Sequence, residues 1–395
     1  MVEMSSSIGP LLLGLGLAAL LGVAAGAARL PPLVGYVLAG LLVGPHTPGP
    51  VLDAVLAAEA VMVGAALVLF WCGTGEAPVA VDRLRGLALA GAIGQTIGLS
   101  TLGWSFGRSL GWDDAEGLAL GFALAAPGVI LAPRILASAG LSGLLTGGVL
   151  AGWLVASGLM VVVGMSGLWA TAPDAEGEMP GLGRAALSSA LGGAVMAGAA
   201  VMLGRWVVPA LLAGTGRFGA PDLTALLPPV IGLGIMLAGG LLVGIPLVLG
   251  AFLGGLAFAA SAAGWGAIRW AATLRGVFAA LLIVPVAAQF DPASLHGAGL
   301  AVVVVPLLVL VARPAIAWAA ARFAGYAARP ARLLAAGAGQ AGEVSLVIAA
   351  LAVTVGLLPA ELRDVVLLSV VASAVLWGLL LGHMVAAEPA GIERG

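Results

Sequence analysis

Gly339-Gln340-Ala341-Gly342-Glu343-Val344-Ser345 sets a carboxylate inside an apolar run from about Leu333 to Leu358, and Glu343 is the only ionisable residue of that run. Gly337, Gly339 and Gly342 leave the backbone around it thinly covered. A carboxyl group costs several kcal/mol if it is charged in hydrocarbon, so it marks an ion or proton path and the remaining segments are expected to hold, hide and expose it.

The whole chain has the same character. Its 395 residues are 62% hydrophobic and 9% charged, with a mean hydropathy of +1.17. A soluble domain carries about 25% charged residues, so this composition describes an integral membrane protein. All sixteen basic residues are Arg, and no basic patch points to nucleic acid. Cys72 is alone, which excludes an intrachain disulfide and a thiolate metal cluster. The loops are short, the longest being about 171–184, so no soluble regulatory domain is expected and any regulatory module would be another chain. Leu11 to Ala28 followed by Arg29 has the length of a secretory core, but Glu3 and the lack of a basic side chain before it favour a first membrane helix.

Apolar stretches of helical length, divided by charges, Pro and Gly clusters, predict about thirteen spans. They run at 8–28, 31–47, 54–74, 85–108, 116–138, 143–170, 185–213, 222–242, 244–262, 271–289, 297–323, 331–358 and 362–386. With the N-terminus outside, twelve arginines fall on the inner side and only Arg108, Arg184 and Arg363 on the outer, while Arg313 lies within a span. That is a strong positive-inside bias, and the odd span count agrees with it. The expected location is the inner or plasma membrane, with the C-terminus cytoplasmic.

A constant offset of 215 residues aligns Gly35-Tyr-Val-Leu-Ala-Gly-Leu41 with Gly250-Ala-Phe-Leu-Gly-Gly-Leu256, Glu76 with Asp291, and Gly128 with Glu343. The paired segments are seven spans apart, so the second copy is inverted. The chain then reads as one domain over 1–395: repeat one at about 8–170 (segments 1–6), a linker helix at about 185–213, and repeat two at about 222–386 (segments 8–13). Inverted repeats of this kind are common among secondary transporters, whose site lies near the bilayer midplane.

Five stretches, in order and at matching spacing, carry a resemblance: "LPPLVGYVLAGLLVGPHTPG" (30–49), "LVLFWCGTGEAP", "IPLVLGAFLGGLAFA", "LRGVFAALLIVPVAAQFDP" and "GQAGEVSLVIAALAVTVGLLP". On these the chain is identified as a member of the cation:proton antiporter-2 family, in its Kef-type branch, over about residues 30–380. The resemblance implies a core of two crossing, broken helices and a panel that serves as scaffold and homodimer contact. Segments 5 and 12 are then the crossing pair, with breaks at Pro127-Gly128 and at Gly339 to Gly342. Pro removes an amide donor and Gly tolerates irregular backbone. The implied activity is exchange of sodium or potassium for protons by alternating access, with no cofactor and no enzyme chemistry.

One departure bears on that activity. The family carries an ion-binding aspartate on the segment after the first crossing helix, and its spacing falls here on Ala156, with Ser157 the only nearby side-chain oxygen. A hydroxyl can coordinate a cation but does not release a proton near neutral pH. Arg313-Pro314 falls where the family often has a buried Lys or Arg, ten residues from Phe323 and so about 15 Å deep along a helix. As a counter-charge to Glu343 it would leave no surplus negative charge, although it can also bridge core and panel or extend inward. Glu343 itself can be an ion or proton ligand, or a hydrogen-bond acceptor closing a broken helix. Gln340 can bind the ion or satisfy freed backbone. Asp222 reads as a helix cap, Trp153 as a packing residue, and the separated His46, His296 and His383 argue against a metal site. The alternatives to an exchanger are a transport-deficient homologue in a structural or regulatory role and an uncoupled ion pathway.

Overall fold

Runs of Ala, Leu, Val and Gly in lipid must satisfy their amides internally, and helices do so within each run. The computed structural model describes residues 2–74, 86–129, 145–170, 182–217, 221–243, 246–261 and 271–386, and all regular structure among them is helical. The first half contains α1 (Val2–Ala27), α2 (Pro32–Leu42), α3 (Ala54–Thr74), α4 (Leu87–Ser109), α5 (Asp114–Ala125) and α6 (Leu145–Trp169). A connecting helix follows, α7 (Leu182–Met202), which passes through a π turn into α8 (Val208–Arg217). The second half contains α9 (Pro221–Val243), α10 (Leu247–Ala259), α11 (Ala271–Ala288), the single turn α12 (Ser294–Gly297), α13 (Ala301–Leu307), α14 (Arg313–Phe323), α15 (Ala328–Ala338), α16 (Glu343–Thr354) and α17 (Ala360–Ala386).

Among the described residues, seven helices are long and apolar enough to cross a membrane, and four apolar helices are shorter, among them α2 and α10. Eleven residues of α helix extend about 16 Å, too little to cross about 30 Å of hydrocarbon unaided. Consistently, every residue of α10 except its first is buried.

Two groups of helices emerge from the packing. In one, α1 lies on α2 as α9 lies on α10, while α3 crosses both α10 and α11 and α11 crosses α2. In the other, α4 packs on α5, α6 and α14, α14 packs on α15, and α17 packs on α13 and α16. These are a panel and a core, with α7 leaning on α6 of one and α10 of the other. The stretch 328–354 is the most enclosed candidate span, 94% buried in its most apolar window. Broken backbone at membrane depth is tolerated only where protein or a polar cavity surrounds it, so this enclosure is what a break there requires.

At the end of the molecule where α11 meets α17, a polar joint links panel to core. Arg363 donates through Nη1 to Gln289 Oε1 (3.0 Å), through Nη2 to the Gln289 carbonyl (2.8 Å), and through Nε to Asp364 Oδ1 (3.0 Å). Asp364 Oδ2 accepts from the Ser294 hydroxyl (3.0 Å) and the Asp291 amide (3.2 Å), and Asp291 lies 3.6 Å from His46 Nε2. Arg363 and Asp364 are both buried. Arg363→Met therefore strands a buried carboxylate, and we expect a loss of about 3 kcal/mol, seen as a lower thermal transition of the purified protein. An unchanged transition would show that the joint carries no stability.

Candidate functional site: the crossing of two broken helices

Segment 12 breaks between α15 and α16, where residues 340–342 leave the helix. Segment 5 leaves the helix at Ala126 to Gly128; its continuation lies outside the described residues. The two breaks meet backbone to backbone. A Cβ on Gly342 would overlap the Cα of Gly128, and one on Gly128 would lie 3.3 Å from the Cα of Gly342. Gly342 thus leaves no room for a side chain, and one at Gly128 would require its neighbour to give by a few tenths of an ångström.

Each break exposes helix ends, and each end carries about half a unit of charge. Glu343 opens α16 and is 2% exposed, so its carboxylate sits at a positive helix pole. Its Oε1 also accepts from the amide of Val129, 2.7 Å away, just past Pro127-Gly128. The breaks are tied further by Ser345 Oγ donating to the Ala126 carbonyl (3.3 Å) and by the Ala341 amide donating to Ser373 Oγ (3.2 Å).

Arg313 serves the opposite poles. Nη1 donates to the carbonyl of Leu124, near the end of α5, and Nε donates to the carbonyl of Ala338, the last residue of α15, at 3.2 Å. Local sequence aims it there. Pro314 has no amide and its ring crowds the carbonyl four residues back, and the helix widens into a π turn over Leu308–Ala312, immediately before Arg313. The side chain is 1% exposed. Among the described residues no ion pair joins Arg313 to Glu343. The direct pair weighed from sequence is thus replaced by separate caps: the guanidinium on two negative helix ends, the carboxylate on the positive end of α16 and the Val129 amide.

Four charged side chains are buried among the described residues: Arg313 and Glu343 at the crossing, Arg363 and Asp364 at the panel joint. Glu343 is therefore the only buried carboxylate at the break in that set. Gln340 is fully buried, and neither its amide nitrogen nor its oxygen has a hydrogen-bond partner. The Ser157 hydroxyl is also buried without a partner. Ser157 lies four residues after Trp153 and seven after Leu150, hence on one face of α6. Leu150 fills the space beside Gly337 of α15, so this face is turned to the broken helix. Ala156 is buried in an apolar cluster with Ala92, Trp153, Leu154, Leu334 and Ala338. The position where the sequence resemblance places an acid is thus packed by apolar side chains.

One participant escaped the sequence reading. Gln95 on α4, 1% exposed, donates through Nε2 to the carbonyl of Ala338 (2.8 Å) and accepts through Oε1 from Trp153 Nε1 (2.8 Å). Trp153 is thus more than a packing residue. Its partner's partner is a backbone carbonyl, which leaves no trace in sequence. Glu76 and the side chains of Asp222 and His383 lie outside the described residues. His46 and His296 join no group of metal-ligating side chains among those described.

The comparisons agree with this architecture. The sodium/hydrogen exchanger transmembrane family model matches residues 15–387. YbaL of Escherichia coli (strain K12), which carries the name of a cation/proton antiporter, is 32% identical over 382 residues, covering 95% of this chain and 68% of that protein. The glutathione-regulated potassium-efflux system protein KefC of an Enterobacter species (strain 638) is 27% identical over 389 residues; the match spans 97% of this chain and 61% of KefC. The structure of the sodium proton antiporter MjNhaP1 from Methanocaldococcus jannaschii has the same fold, with a TM-score of 0.73 over 99% of this chain and 100% of that one, at 15% identity. A helical membrane chain with a panel, a core and a backbone crossing at Gly128 and Gly342 thus belongs to the sodium/hydrogen exchanger family of transmembrane transporters.

Proposed function

We propose that this chain exchanges a monovalent cation, sodium or potassium, for a proton, and that Glu343 carries the proton. The observation that supports this most is the placement of Glu343: the single buried carboxylate at the crossing, among the described residues, with the unpartnered oxygens of Gln340 and Ser157 assigned to the same site. In one state the carboxylate is protonated and still accepts from the Val129 amide. In the other it is ionised, and a dehydrated cation takes the place of the proton. Alternating access moves the core against the panel, with α7 as the linker between the repeats at about 8–170 and 222–386. A single titratable group moves at most one proton per cycle, so exchange with a monovalent cation is one for one and electroneutral. We further propose the homodimer, with contact through the panel, insertion in the inner or plasma membrane with the N-terminus outside and the C-terminus cytoplasmic, and any regulation through a separate chain.

A second reading has its own observation. Ala156 is packed in an apolar cluster where the family has an acid, which favours a transport-deficient homologue in a structural or regulatory role. The two separate in inverted vesicles carrying an imposed proton gradient and a pH-sensitive dye. Sodium, potassium or lithium ions added in turn are expected to dequench the dye, and membrane potential is not expected to alter the rate. No response to any of the three, and none restored by Ala156→Asp, would leave the non-transporting reading standing instead.

A further inference from the structure

The carbonyl of Ala338 receives two donors, Gln95 Nε2 at 2.8 Å and Arg313 Nε at 3.2 Å, and it closes α15 two residues before Gln340. Gln95 does not stand alone: its oxygen is held by the indole of Trp153 at 2.8 Å. The chain Trp153 to Gln95 to Ala338 therefore joins α6, α4 and α15 through side chains that are all buried. Its two ends are informative. Four residues beyond Trp153 is Ser157, and two residues beyond Ala338 is Gln340, and the side-chain polar atoms of both are buried without partners.

We propose that Gln95 and Trp153 are positioning residues that fix how far Ser157 Oγ stands from the Gln340 amide, and so set which monovalent cation the site accepts. This rests on the reading of the crossing as an ion site. A dehydrated cation is selected by the spacing of its oxygen ligands and by how firmly that spacing is held. Here one ligand is on a continuous helix and the other on a broken one, and a broken helix end has no internal ladder to hold it. The amide of Gln95 supplies the missing constraint from outside α15. Amide geometry matters, because the position must accept from an N–H and donate to a C=O at once, which an amide does without a charge at any pH. Arg313 cannot replace it, since its Nη1 is committed to the Leu124 carbonyl. The same double donation keeps the Ala338 oxygen itself out of the ion's coordination shell, leaving the side-chain oxygens to define the site.

The test compares sodium, potassium and lithium exchange in proteoliposomes of the wild type, Gln95→Leu, Trp153→Phe and the double variant. Trp153→Phe keeps an aromatic ring but loses the N–H and part of the indole that lies against Gly91, so it carries the test should Gln95→Leu fail to fold. We expect each single variant to raise the KM of the preferred cation by about tenfold, as for loss of a buried hydrogen bond that leaves a partner unsatisfied. Maximal rate should change less, and the ratio of KM values among the three cations should flatten. The double variant should be no worse than the worse single one, because both act through one carbonyl. Gln95→Glu should retain function only at acidic pH, where the protonated carboxyl donates to Ala338 as the amide did. Unchanged KM values and cation ratios in Trp153→Phe, or fully additive effects in the double variant, would overturn the assignment. Should those results come with Glu343→Gln still inactive, only the positioning role is lost; should Glu343→Gln remain active, the ion-site reading itself falls.

Discussion

Glu343→Gln is expected to reduce cation-driven proton movement to the background of vesicles lacking the protein. The amide can still accept from Val129, 2.7 Å from the present carboxylate oxygen, so the crossing keeps its hydrogen bond. What disappears is the charge that a cation and a proton compete for. Loss of that charge at a helix N-terminus removes about 1–2 kcal/mol of stability, small enough for the variant to insert and fold. A folded but silent protein is therefore the expected result, read by dye dequenching alongside a thermal unfolding curve. Glu343→Ala should be silent too, and less stable than the Gln variant because the Val129 amide is left buried without its acceptor.

Arg313→Met has the second largest expected effect, and it falls on stability first. The guanidinium is the donor for the carbonyls of Leu124 and, with Gln95, of Ala338. Removing it strands one buried carbonyl and weakens the hold on another. Losing charged donors to buried acceptors costs about 3 kcal/mol, a large part of the margin that keeps a protein folded. A sharp fall in thermal transition and in membrane yield is expected. Arg313→Lys should recover part of the loss, since an ammonium restores the charge but cannot fork to two carbonyls on different helices. Full recovery by Lys would show that charge alone matters and that the fork does not.

Much of the fold is legible from the chain itself, for a physical reason. Hydrocarbon allows few backbone solutions, so apolar length translates almost directly into helices: α3 was expected at 54–74 and is found at Ala54–Thr74. Helix ends are legible where residue chemistry forces them: α5 stops just before Pro127-Gly128, and the chain leaves the helix between Gly339 and Gly342. Side-chain partnerships at the crossing are less so. Arg313 was weighed against Glu343 because both are charged and both are deep, yet it turns to two backbone carbonyls. Every residue has a carbonyl, so nothing in a sequence marks the few at helix ends that need a donor. Gln95 is hidden for the same reason, its partner Ala338 being 243 positions away and apolar in name. The π turn over Leu308–Ala312 that aims Arg313 was foreshadowed only by Pro314.

In the proposed cycle, proton and cation compete for Glu343. This competition is tested most directly by counting the protons released when the purified protein binds its cation, from calorimetric titrations in two buffers of different protonation enthalpy. The account predicts about one proton released per cation in the wild type at a pH where Glu343 is protonated, and none in Glu343→Gln. Saturable cation binding by the wild type without proton release, or undiminished release in Glu343→Gln, would contradict it.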